Sequence, residues 1–184
     1  MSIETTILTH AEEKKSRFAG RMALIELPTN DLPKELRHFS IEVNGMIDYL
    51  PMNYLVTGDS FYSSLDKGDF AQILEYFQLL DSTELTAIEV AHLYLLLEFP
   101  SRGRVLLYKV ADLELPADTP SELKTQLNEL IGPPVLHRNP DLAECSFYLF
   151  NGREGTVEEV LLEVTRDYKI NHGINKIANL WSED

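Results

Sequence analysis

The chain has 184 residues, 44% of them hydrophobic, a formal charge of −14 and one cysteine, Cys145. That length suits a single domain with its own core, one cysteine excludes an intrachain disulfide, and no apolar run approaches the ~18 residues of a membrane span. The opening MSIETTILTHAEEKKSRF lacks a basic start followed by an apolar core, so no secretory leader is read and a cytoplasmic protein is expected.

Residues 1–19 read as a weakly ordered arm with one helical turn, and 20–184 as a single domain. GRMALIELP (20–28) holds β-capable residues and ends in proline, which predicts a strand. TNDLPKELRHF (29–39) offers Asn30 or Asp31 as cap, Pro33 in the first turn and Glu35 for a capping box, a short helix. In SIEVNGMIDYLP (40–51), Asn44-Gly45 between short alternating runs signals a tight hairpin, with continued helix as the alternative. NYLVTGDSFYSS (53–64) reads as strand, turn, strand.

From residue 66 the period changes. Phe70, Ile73, Leu74, Phe77 and Leu80 fall at helical spacing. Asp81 or Ser82 caps a second helix, Glu84 closes its box, and Pro100 and Gly103 stop it near Phe99. Its apolar residues cover nearly the whole circumference, which makes it the expected central helix. RVLLYKV (104–110) is a strand. ADTPSELKTQLNELIG (117–132) is a helix with Thr119 as cap, Pro120 first, Glu122 in the box and Gly132 at the end. ECSFYLF (144–150) alternates as a strand, and NGREG (151–155) is a turn. Thr156 and Glu159 bracket another capped helix, with Val157, Val160, Leu161, Val164 and Tyr168 on one face. Ile174, Ile177 and Trp181 suggest a last one. The expected fold is α+β: a single compact domain with an antiparallel or mixed sheet of about five strands and about five helices.

Few local motifs carry chemistry. Glu-x-x-His occurs twice, at Glu35…His38 and Glu89…His92. That spacing puts both side chains on one helix face, as carboxylate-bridged metal bundles need, but such centres draw further Glu from other helices. These four residues form the alternative metal set, and no metal or cofactor is the leading expectation. On the bland reading, Glu89 and His92 are the wet seam of the central helix and pair locally. Cys145, beside Phe147 and Leu149, reads as a core residue rather than a nucleophile. FNGREGTVEEV lacks the Gly-Lys-Ser/Thr ending of a phosphate loop, and Glu158 and Glu159 would repel phosphate. A helix-turn-helix reading of 69–110 fails on Glu84, Glu89 and Glu98, which repel a DNA backbone. No His-x-x-x-His, Cys-x-x-Cys or Gly-x-Ser-x-Gly occurs, so no catalytic residue is assigned.

Charge gives the leading functional expectation. Residues 1–40 hold six acids and six bases, 41–100 ten acids and one base, and 101–184 fourteen acids and nine bases. The negative field concentrates in the middle third, which disfavours direct nucleic-acid binding and attracts basic surfaces. Solubility is the competing explanation. The expectation is a non-enzymatic acidic protein that binds a basic protein partner. Glu42, Asp48, Asp59, Asp66 and Asp69 would steer it, and Tyr49, Tyr54, Phe61 and Tyr62 would anchor it. The alternatives are an enzyme with a site assembled from scattered Asp, Glu and His, and a subunit of a larger assembly.

Overall fold

The computed structural model describes residues 2–46, 51–99, 103–117 and 119–181. Among them the fold is α+β, with four α-helices and two antiparallel sheets of four and five strands. The expected count, one sheet of about five strands with about five helices, is thereby corrected. The chain divides into two compact units, Met1–Phe77 with His92–Arg102, and Gln78–Ala91 with Gly103–Asp184.

In the first unit the strands β1 (Met22–Leu27), β2 (Arg37–Val43), β3 (Met52–Thr57) and β4 (Ser60–Ser63) lie side by side in chain order. Period-two alternation turns Phe39, Ile41 and Val43 of β2, and Met52, Tyr54 and Val56 of β3, into one core face. Helix α1 (Ile3–Lys14) sets Ile7 and Ala11 on that face, both fully buried. The Ser2 hydroxyl caps α1 by accepting from the Thr5 N–H at 3.3 Å. The segment read as a weakly ordered arm therefore carries a 12-residue helix, followed by a 3-10 turn that buries Phe18.

The helix expected at 29–39 does not form. Residues 30–36 turn, bury Leu32 and Leu36, and deliver Arg37 into β2. A strand paired on both sides, with Ile41 opposite Leu24 and Met52, outweighs one local cap. Gly45 does turn, at φ +80°. The returning strand begins only at Met52, and the residues between, 47–50, lie outside the described residues.

Helix α2 (Asp69–Tyr76) buries Phe70, Ile73 and Leu74 as its spacing requires. The next helix starts later than expected. Helix α3 (Ala87–Leu93) runs into a π turn, Tyr94–Glu98, and the chain passes from the second unit back to the first within α3, after Ala91. In the first unit, Asn53 Nδ2 donates to the Leu96 carbonyl of that turn at 3.0 Å. The expected stop at Pro100 lies outside the described residues.

The second unit holds β5 (Arg104–Leu107), β6 (Val135–Arg138), β7 (Leu142–Asn151), β8 (Thr156–Thr165) and β9 (Ile170–Asn179). Their order is β5–β7–β8–β9, with β6 also paired to β7. The helices expected from Thr156 and around Ile174 are thus β8 and β9. Val157, Val160, Leu161 and Val164 fit a helical face, but Thr156, Val160, Leu162 and Val164 also alternate, and buried β-branched residues favour the pleat. Helix α4 (Ser121–Leu130) begins on Pro120 with no side-chain cap, one residue later than Thr119 implied. Its Leu127 packs with Leu107, Leu113, Ile131 and Val157. Gly155 is obligatory on two counts: its φ is +66°, and a Cβ there would stand 2.3 Å from the Trp181 ring. No helix among the described residues is long and apolar enough to cross a membrane.

Candidate functional site

Tyr54, Phe61, Asp66 and Asp69 come together in the first unit, around the chain's own N-terminal helix. His10 of α1 stands between two of them, with Nε2 at 2.9 Å from Asp66 and Nδ1 at 2.9 Å from the Tyr54 hydroxyl. A neutral imidazole that donates to the carboxylate is left to accept from the phenol. Lys14 Nζ reaches the other Asp66 oxygen at 2.5 Å, and the His10 ring meets Phe61 edge-on at 5.2 Å. Burial pushes the Tyr54 phenol up to about 12. Asp69 accepts from the Ser63 N–H at 2.6 Å, and burial raises its carboxyl in spite of that bond.

This Tyr–His–Asp chain resembles a proton relay on paper, yet Tyr54 is wholly buried and offers a substrate nothing. Its work is to hold α1 on the sheet. Glu42 and Asp59 are exposed and Tyr62 half-buried. Alternation places Glu42 and Tyr62 on the side of the sheet away from Tyr54 and Phe61, so these acids and aromatics do not share one face. Asp48 and Tyr49 lie outside the described residues.

The Glu-x-x-His residues are occupied elsewhere. Glu35 is exposed in a turn, while His38 is buried on β2 with Nε2 3.1 Å from Asn53 Oδ1. Glu89 Oε2 accepts from the Thr86 N–H (2.7 Å) and hydroxyl (2.8 Å), and the Glu89 N–H donates back to that hydroxyl at 3.2 Å. That is a capping box one turn downstream of the expected one. His92 Nε2 stands 3.7 Å from Asp31. Burial depresses both His38 and His92, an effect that Asp31 partly offsets at His92. Among the described residues, no three His, Cys, Asp or Glu could hold a metal ion.

Two further groups in the second unit are structural. The Cys145 thiol is buried 3.9 Å from the Ala87 carbonyl, and burial pushes it up to about 12. Arg138 ties down the segment before α3, donating to the Leu79 carbonyl at 2.7 Å and to the Leu85 carbonyl.

Because 156–165 and 170–179 are strands and not helices, the second sheet carries a surface that the helical expectation does not assemble. Across the second sheet, His137 of β6 faces Glu144 of β7, which faces Glu163 of β8, which faces Asn171 of β9. His137, Glu144 and Glu163 line a concavity of about 240 Å3 with Ser146 and Leu161. Both glutamates are exposed, and neither forms an ion pair among the described residues. Directly opposed like charges cost a few tenths of a kcal/mol or more. Leu161 and Val135, each 43% exposed, add apolar surface in the neighbouring row. The sequence already gives β7 as a strand; β8 is legible in the alternation of buried Val160, Leu162 and Val164 with exposed Leu161 and Glu163. No protein-family model matches the chain, and no curated protein or solved structure matches it.

Proposed function

We propose that the chain is a non-enzymatic interaction protein that binds a basic protein partner, with the acidic concavity on the second sheet receiving a Lys or Arg side chain. The observation that carries this reading is the unpaired Glu144–Glu163 couple beside His137. Two carboxylates kept opposite one another, with no Lys or Arg paired to them among the described residues, are stabilised when a cation comes between them. Leu161 and Val135 supply the apolar contact that charge alone lacks. The locus differs from residues 41–100, where Tyr54 and Asp66 serve the fold.

The test uses a fluorescent Arg- and Lys-rich peptide and its acidic counterpart, followed by anisotropy at low and high salt. The wild type binds the basic peptide, and salt weakens binding. Glu144→Gln with Glu163→Gln weakens it about tenfold. Glu42→Gln with Asp59→Asn, the same change in net charge on the first unit, leaves it unchanged. Equal losses in the two double variants would reduce the effect to bulk charge and end the proposal.

A further inference from the structure

Strand edges are the places where a sheet can recruit another chain, and folded proteins shorten or obstruct them. Among the described residues, four of the five edge strands follow that rule. In the first sheet β4 has 4 residues, and β1 has 6, carries Glu26 and runs into Pro28. In the second, β5 and β6 have 4 each, and Pro133 and Pro134 precede β6. The exception is β9, the terminal strand of the second sheet, with 10 residues and no proline. Its pairing irregularity and its lysine, Lys176, lie in the second half, which leaves residues 170–175 in unbroken register with β8 and without an acid or a lysine.

Charge and register together select the occupant. From Tyr168 to Trp181 the chain has no Asp or Glu, although the whole chain carries −14. Lys176 is paired with Glu154 at 2.6 Å and Lys169 with Asp167 at 2.5 Å, so the strip is close to neutral. Two copies of so acidic a protein approach with least repulsion along such a strip. The sequence INHGINK (170–176) is nearly self-complementary about Gly173. An antiparallel pairing centred there sets Asn171 opposite Asn175 of the second copy, His172 opposite Ile174, and Ile170 opposite Lys176. No like charges meet, and the Asn amides face each other across the strands. A Cβ built at Gly173 would meet no atom within 4 Å, so the face of the sheet over the centre of the pairing is uncrowded. We propose that two copies of the chain pair through β9, antiparallel about Gly173, and join their five-stranded sheets into one.

Sedimentation equilibrium from micromolar to millimolar protein, at low and at high salt, tests this. The wild type moves from the 21.0 kDa chain mass to twice that value as concentration rises, and salt favours the heavier species. Asn171→Asp with Asn175→Asp places like charges opposite each other in both pairs and holds the mass at 21.0 kDa. Asn171→Lys with Asn175→Lys does the same, and an equimolar mixture of the two variants recovers the doubled mass. Far-ultraviolet circular dichroism checks that both remain folded. A wild type that stays at 21.0 kDa throughout refutes the pairing, as does a doubled mass that neither variant lowers. Neither result depends on whether a basic peptide binds the concavity.

Discussion

Replacing Arg104 with Met should strand a charge inside the second unit. Glu158 is 2% exposed, and its carboxylate takes three hydrogen bonds: Arg104 Nε at 3.0 Å, Asn151 Nδ2 at 3.1 Å and the Thr156 hydroxyl at 3.2 Å. Burial by itself would raise this carboxyl; Arg104 and Asn151 overcome it, and the net shift is downward. Removing one partner of a buried pair costs about 3–5 kcal/mol, and the lower end applies because Arg104 keeps 18% exposure. The assay is urea unfolding followed by Trp181 fluorescence. Trp181 is the one tryptophan, and its ring packs on Phe150 at 6.3 Å, so it reports on this unit.

The pH dependence should change sign with the same substitution. In the wild type the lowered pKa of Glu158 contributes stability above the ordinary value of 4.5 that is lost as pH falls below it. In Arg104→Met burial dominates and the folded pKa rises. The variant's deficit should therefore shrink on acidification through that range, as Glu158 takes a proton. Adding Glu158→Gln, which keeps an acceptor for Asn151 and Thr156, should recover about 1–2 kcal/mol at neutral pH. A loss under about 1 kcal/mol for Arg104→Met, or a deficit that grows in acid, would refute the reasoning.

Three other outcomes follow from the geometry. Ile7→Ala should cost about 2–4 kcal/mol and release α1, seen as faster amide exchange across residues 3–14; unchanged exchange would deny the helix its anchoring role. Thr86→Ala and Glu89→Ala should each cost about 1 kcal/mol, and the double variant less than their sum because the box is reciprocal; strict additivity in denaturant titrations would contradict it. With its pKa near 12, Cys145 should react with a disulfide reagent at pH 8 on the order of a thousandfold slower than an ordinary thiol until the unit unfolds; rapid labelling of the folded protein would place the thiol outside the core.

The sequence was readable where one periodicity stood alone. Phe70, Ile73 and Leu74 admit only a helix, and Asn53 to Ser64 only a hairpin around Gly58. It misled where a capping signature met a run that fits two periods. Thr-x-x-Glu is a true box at Thr86–Glu89 and a false one at Thr156–Glu159, where the Thr156 hydroxyl bonds Glu158 within a strand. What separates them is pairing with distant segments, β7 on one side and β9 on the other, which local residues do not announce. The acidic concavity was lost with β8, since its carboxylates meet only through strand register. The N-terminal helix was missed because a few apolar residues, Ile7 and Ala11 among them, suffice once a sheet face receives them.

The division of the chain within α3 bears on how this protein can be taken apart. Each unit is made of two separated stretches, and the segment 78–91 of the second interrupts the first. No single cut therefore separates the two cleanly: one after residue 102 keeps the first unit whole but takes 78–91 away from the second. During synthesis the first unit has all its residues by position 102, whereas 78–91 must wait for strands β5 to β9 before its own unit is complete. Truncation from the C-terminus as far as residue 103 trims only the second unit but leaves its 78–91 segment behind in the first, whereas an internal deletion across α3 damages both. Point substitutions on β7, β8 and β9 are the instrument suited to this chain.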